Sequence, residues 1–162
     1  MSIFIRTVTY SVLFIGLLLV FLPAQLLARA GITPPATFGL LQGLGLITAI
    51  CGGTLALWCI LTFVIIGQGT PAPFDPPRRL VIRGPYAFVR NPMYIGAGLA
   101  LAGAALFYRS LALLVYTVIF LLITHLFVIL YEEPTLRRTF GNDYASYCQE
   151  VRRWLPHIRI HD

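Results

Sequence analysis

Long apolar runs separated by short polar breaks set the pattern of this chain. Residues 7–27 form one run, and residues 38–66 form a longer one without a charged side chain. After a polar interval come Pro92–Phe107 and residues 111–131, parted only by Tyr108-Arg109-Ser110. A helix needs about 20 apolar residues to cross a bilayer. The pattern therefore predicts four spanning helices, the third one short, with the third and fourth in a tight antiparallel hairpin. Run 38–66 is long enough to cross with tilt. Run 7–27 follows a single arginine and lacks a small-residue cleavage site leading into a soluble domain, so it reads as a retained helix and not a signal peptide. The expected fold class is all-α and integral to the membrane, as one domain over residues 1–162. Its parts are two N-terminal spans (1–67), a cytoplasmic loop (68–92), a helical hairpin (93–131) and a cytoplasmic C-terminal segment (132–162).

Composition agrees with that reading. Hydrophobic residues make up 58% and charged residues 11%, where a soluble domain carries about 25% charged residues. The net charge is +6, and all twelve basic residues are arginine. Nucleic-acid binding needs a solvated basic face, and little surface is left to provide one. A basic side facing anionic lipid fits better, so the expected partners are membrane lipids and no nucleic acid. With four spans, Arg6, Arg78, Arg79, Arg83, Arg90, Arg137, Arg138, Arg152, Arg153 and Arg159 fall on one side, and Arg29 and Arg109 on the other. By the positive-inside rule both termini and the long loop are cytoplasmic, in a bacterial inner membrane. Cys51 and Cys59 are eight residues apart on one predicted helix. That is about 12 Å of helical rise, too far for a disulfide, and no metal-ligand spacing is present.

The segment after Tyr131, "EEPTLRRTFGNDYASYCQEVRRWLP", has a different character. Asn142-Asp143 reads as a helix start, after which Tyr144, Tyr147, Cys148 and Val151 share one face. Arg152 and Arg153 are expected to end this helix at its carbonyl pole. Such an amphipathic helix can lie on the membrane surface, or it can cover a pocket at the cytoplasmic ends of the spans.

Ionisable residues within or beside a membrane are costly and are candidate functional groups. His125 lies two turns inside the last run, and Glu132 and Glu133 stand at its end. His125 and Glu132 are seven apart and should share a face. Pro134 is expected to bend the chain there and leave the carboxylates at a helix end. In "RGPYAFVRNPMYIG", Asn91 can cap the third helix and Pro92 can occupy its first position. That arrangement would aim free N–H groups at the cytoplasmic mouth, where an anionic group binds well. Gly96 and Gly98 would allow close approach by a ligand or a helix. Gly84-Pro85 makes a turn that presents Tyr86.

These residues resemble the isoprenylcysteine carboxyl methyltransferase and phospholipid N-methyltransferase family. The resemblance is carried by "LVIRGPYAFVRNPMYIG", then a hairpin, then "HLFVILYEEPTLRRTFGNDYASYCQEVRRWLP", about residues 78–156. It implies an integral-membrane enzyme that uses S-adenosylmethionine on a lipophilic acceptor, either an isoprenylcysteine-like carboxylate or a phospholipid amine. It also implies that Arg78, Arg79, Leu80, Val81, Tyr86, Arg90, Asn91, Pro92, Met93, Tyr94, Gly98 and Glu133 bind the cofactor. Glu132, Glu133 and His125 are the implied catalytic groups. The family's histidine in the R-H-P-x-Y segment is Asn91 here. Val128 stands where the carboxyl methyltransferases can place an arginine beside the substrate.

A sulfonium suits carboxylate, carbonyl or aromatic neighbours. Methyl transfer is an in-line displacement that depends on positioning and exclusion of water. A carboxylate acceptor needs no base, whereas an amine acceptor must lose a proton to Glu132, Glu133 or His125. Two other readings compete. A membrane reductase of the sterol-reductase type would bind NADPH, with the arginines on its 2′-phosphate, but Ile95, Gly96 and Ala97 offer no acidic residue after the tyrosine. A small non-enzymatic membrane protein is the third.

Overall fold

A computed structural model describes residues 9, 13, 15–67 and 79–156. Among these residues every regular element is helical. A π-helical turn, Gly16–Phe21, runs into α1 (Leu22–Arg29). Helix α2 (Leu40–Thr62) continues through a second π turn, Phe63–Gly67. A 3-10 turn at Gly84–Ala87 precedes α3 (Pro92–Phe107) and α4 (Leu111–Phe127). A third π turn, Val128–Glu132, leads without a break into α5 (Glu133–Glu150). Two of the helical stretches are long and apolar enough to cross a membrane, Leu40–Ile66 with 27 residues and Leu111–Glu150 with 40. Gly16–Arg29 and Pro92–Phe107 are shorter apolar helices. The start of run 7–27 and the whole stretch 68–78, including Arg78, lie outside the described residues.

Helices that are apolar all round belong in a membrane or a large core, and here the large side chains point outward. Leu40, Ile47 and Leu57 of α2 and Leu114, Val118 and Leu122 of α4 are exposed, while the buried positions of α3 are mostly small. Helices α2 and α3 touch backbone to backbone. A Cβ built on Gly52 would lie 2.5 Å from both Gly96 O and Ala100 N, and one built on Gly45 would lie 2.7 Å from Gly103 O. Early α2 thus meets late α3 and the reverse, so the pair is antiparallel, and small residues permit the close approach.

Helix α4 then folds back along α3. Arg109 takes φ 50° at the turn, and Ser110 caps α4 by accepting from the Leu113 N–H at 3.3 Å. The predicted tight hairpin is present. Helix α1 lies against α4, and Leu18 O of the π turn before it accepts from the Tyr116 hydroxyl at 2.8 Å.

Three local expectations are corrected and one is extended. The chain does not break at Pro134, because proline is tolerated in the first turn of a helix and occupies that position in α5. The expected helix start at Asn142-Asp143 is present, but a first helical stretch precedes it. The helix begins at Glu133 and kinks at Gly141, whose φ 51° and ψ −121° only glycine adopts readily, and Asn142 is where it resumes. Arg152 and Arg153 lie beyond the helix end at Glu150 rather than in its last turn. Asn91 stands at the N-cap position of α3, but its side chain makes no cap bond; its amide donates instead to the Arg153 carbonyl at 3.2 Å. Pro92 opens α3 as expected.

Candidate functional site

The bundle has two unlike ends. At one end stand the hairpin turn and the start of α2, where the Phe38 and Phe107 rings meet edge to face at 6.3 Å. The other end gathers the close of α2, the segment 79–91, the start of α3, the π turn after α4, and α5. Among the described residues, most polar contacts between distant parts of the chain lie there.

Two contacts join the entry to α3 to the junction of α4 and α5. The Tyr94 hydroxyl donates to Glu132 Oε2 at 3.1 Å. Arg90 NH1 lies 3.3 Å from Glu133 Oε1. The adjacent glutamates thus have different neighbours, Glu132 a neutral hydroxyl and Glu133 guanidinium groups. Arg153 adds a fork to Glu133, with Nε on Oε1 at 2.7 Å and NH2 on Oε2 at 2.9 Å. Glu133 is only 7% exposed. Burial by itself opposes its charge, but the hydrogen bonds from Arg153 and the charge of Arg90 outweigh burial and hold its carboxyl below the ordinary value.

His125 does not share the surroundings of Glu132. Its Nδ1 accepts from the Trp154 indole N–H at 3.0 Å, with the two rings 5.7 Å apart. The wide turn at Val128–Glu132 intervenes. A turn closed by i→i+5 bonds advances each residue by less than the α-helical angle, so two residues seven apart no longer stack.

The segment before α3 is clamped between helices. Tyr86 is buried with Val81 against Cys59 of α2, and Met93 packs on the same cluster. The Tyr86 ring meets Phe63 edge to face at 5.2 Å, and burial pushes its hydroxyl well above the ordinary value. From the far side, the Tyr147 hydroxyl donates to the Tyr86 carbonyl at 2.6 Å. Tyr144, Tyr147 and Val151 form the predicted face, which packs on Leu80, Leu136 and Phe140. The kink at Gly141 turns that face inward onto the loop.

The structure thus gathers Leu80, Val81, Tyr86, Arg90, Asn91, Pro92, Met93, Tyr94, Glu132 and Glu133 at one end. Arg79 is exposed beside Leu80, and Arg78 lies outside the described residues. Gly98 belongs elsewhere, since a Cβ there would meet Leu121 Cδ2 of α4 at 2.7 Å; it serves helix packing. The sequence reading missed Cys59 as a neighbour of Tyr86, and it missed Arg153 and Trp154 as partners of Glu133 and His125. A bidentate arginine twenty residues downstream of its carboxylate leaves no periodic signal. The hint available was an Arg-Trp pair following an amphipathic face.

Comparison with known proteins bears on this end of the molecule. Residues 40–143 match the family model described as phospholipid methyltransferase. That segment holds Arg90, Tyr94, Glu132 and Glu133, and it stops short of Tyr147, Arg153 and Trp154. An uncharacterized protein of Haemophilus influenzae is 47% identical over 38 residues, which is 24% of this chain and 60% of that protein. The match thus covers less than two thirds of that relative. No solved structure matches the chain.

Proposed function

The chain belongs to the phospholipid methyltransferase family, and from that premise we propose that it is a membrane methyltransferase that uses S-adenosylmethionine to methylate a lipophilic acceptor. The observation that carries this reading is the pair of contacts Tyr94–Glu132 and Arg90–Glu133, which join α3 to the α4–α5 junction inside the matched segment. The acceptor is an isoprenylcysteine-like carboxylate or a phospholipid amine, arriving sideways from the bilayer.

The residues present fit such a cofactor, which supplies an electrophilic methyl group on a sulfonium beside an amine and a carboxylate. Glu132 is bonded to the neutral Tyr94 hydroxyl and can face a cation. Arg90 Nε is buried without a hydrogen-bond partner, and an unpaired buried donor is costly; an anionic group beside it would remove that cost. Arg90, Asn91, Tyr94, Glu132 and Glu133 would hold the cofactor, with Arg79, Leu80, Val81, Tyr86, Pro92 and Met93 shaping the loop around it. Positioning and exclusion of water then do most of the work. For an amine acceptor Glu132 takes the proton, since His125 Nδ1 is occupied by Trp154. For a carboxylate acceptor no proton moves.

Helices α2 and α4 cross the membrane with α1 and α3 beside them. Arg79, Arg83, Arg90, Arg137, Arg138, Arg152 and Arg153 at the site end support, by the positive-inside rule, a cytoplasmic side for that end in a bacterial inner membrane. Thermal unfolding in lipid nanodiscs tests the reading, with S-adenosylmethionine, S-adenosylhomocysteine or NADPH added. A ligand at about 100 times its Kd adds roughly 2.7 kcal/mol to the folded state. Stabilisation by either adenosyl compound supports the methyltransferase. Stabilisation by NADPH alone favours a reductase, and no response to any of them favours a non-enzymatic protein.

A further inference from the structure

We propose that residues 151–154 form a wall of the methyl-transfer site and that Arg153 is the residue that positions Glu133. The inference rests on the methyltransferase reading above. Glu133 receives three guanidine contacts from two directions, Arg153 Nε at 2.7 Å, Arg153 NH2 at 2.9 Å and Arg90 NH1 at 3.3 Å. A fork that engages both carboxylate oxygens fixes the plane of the group as well as its position. Arg90 alone, reaching one oxygen, leaves that plane free to turn.

The strap that carries Arg153 is itself fastened to the elements that bear the candidate site. The Arg90 N–H donates to the Arg152 carbonyl at 2.9 Å. The Asn91 amide donates to the Arg153 carbonyl at 3.2 Å. The Trp154 indole donates to His125 on α4 at 3.0 Å. Three consecutive residues, Arg152 to Trp154, thereby tie together the loop before α3, the side of α4 and the first turn of α5. A segment that merely rested on the membrane surface would turn these polar atoms to water and lipid headgroups. Here they are used on Arg90, Asn91, His125 and Glu133. The strap also lies beyond residues 40–143, so this wall comes from outside the segment shared with the family model.

A buttress and a positioning residue predict different results. Binding of S-adenosylhomocysteine to the full chain in nanodiscs is measured by calorimetry for the wild type, Arg153→Ala, Arg153→Lys and Arg138→Ala, with the melting temperature of each apo form recorded alongside. Arg138 is exposed and serves as the charge control. Positioning predicts that Arg153→Ala and Arg153→Lys both bind the product at least tenfold more weakly, because lysine restores the charge but not the fork. The apo melting temperature of Arg153→Lys should stay near that of the wild type, and Arg138→Ala should bind as the wild type does. If Arg153→Ala fails to fold, Arg153→Lys decides the matter by itself. Wild-type affinity in a folded Arg153→Lys protein, whatever its melting temperature, overturns the proposal while leaving the methyltransferase reading intact. A wild-type chain that binds no product overturns both.

Discussion

Replacing Gly52 by alanine should loosen the α2–α3 seam and, through it, the site. The added Cβ would sit 2.5 Å from Gly96 O and Ala100 N, both backbone atoms, where ordinary contact begins at 3.4 Å. The helices must therefore part locally by about 0.9 Å, the difference between those two distances. Overpacking of this kind costs about 1–3 kcal/mol, against a gain of about 1 kcal/mol from replacing glycine by alanine in a helix. Gly53 next to it has nothing within 4 Å of its Cβ position, so Gly53→Ala keeps the gain without the cost. The two single-methyl variants should differ by the packing cost alone, roughly 2–12 °C in melting temperature for a chain of this size. The functional effect follows from the same displacement. Tyr94 lies on the first turn of α3, half a turn from Gly96, and its hydroxyl is 3.1 Å from Glu132. A shift of 0.9 Å along that line stretches the contact to about 4 Å, beyond hydrogen-bond range. Melting in nanodiscs, with S-adenosylhomocysteine affinity measured on the same samples, checks both effects. A Gly52→Ala protein as stable as Gly53→Ala would refute the backbone contact.

Other outcomes can be measured on the same preparation. Tyr94→Phe removes one hydrogen bond worth about 1 kcal/mol and should weaken product binding about fivefold, while Glu132→Gln should weaken it further without unfolding the helices. The depressed Glu133 carboxyl stabilises the fold above its unfolded value, near 4.5, and that contribution is lost as pH falls below 4.5 through the lowered folded value; Glu133→Gln should flatten the melting-temperature profile in that window. Gly141→Ala meets no atom within 4 Å but must hold φ 51° with ψ −121°, so about 1–3 kcal/mol of backbone strain is expected, read as a lower melting temperature.

The apolar runs located α2, α3 and α4 because a helix in lipid must be apolar along its length, and length is what a sequence displays. Pro92 and Ser110 marked helix starts through local chemistry. The face of Tyr144, Tyr147 and Val151 was legible from its period, but its destination was not. Sequence left two destinations open, the membrane surface or a cover over the cytoplasmic ends of the spans; the positive φ of Gly141 turns the face onto Leu80 and Tyr86. Glu132 and Glu133 stood out as charges at the edge of an apolar run. Their different neighbours did not, because Tyr94 is 38 residues from Glu132 and Arg153 is 20 from Glu133. Such pairings are set by the bundle's closure and not by any local pattern.

The wide turn at Val128–Glu132 works as a phase setting. A π turn is a helical turn carrying one surplus residue, and one α-helical residue is about 100° of rotation. If the same five residues closed as an ordinary α turn, α4 would run into α5 with every apolar contact of α4 intact. Everything downstream would swing about a quarter turn around the axis. Glu133 would swing away from Arg90, and the Gly141 kink would aim its aromatic face past the loop. The hydropathy profile is the same for either turn. Whether the carboxylates meet their partners is thus an angular property of the chain, set by the number of residues in one turn.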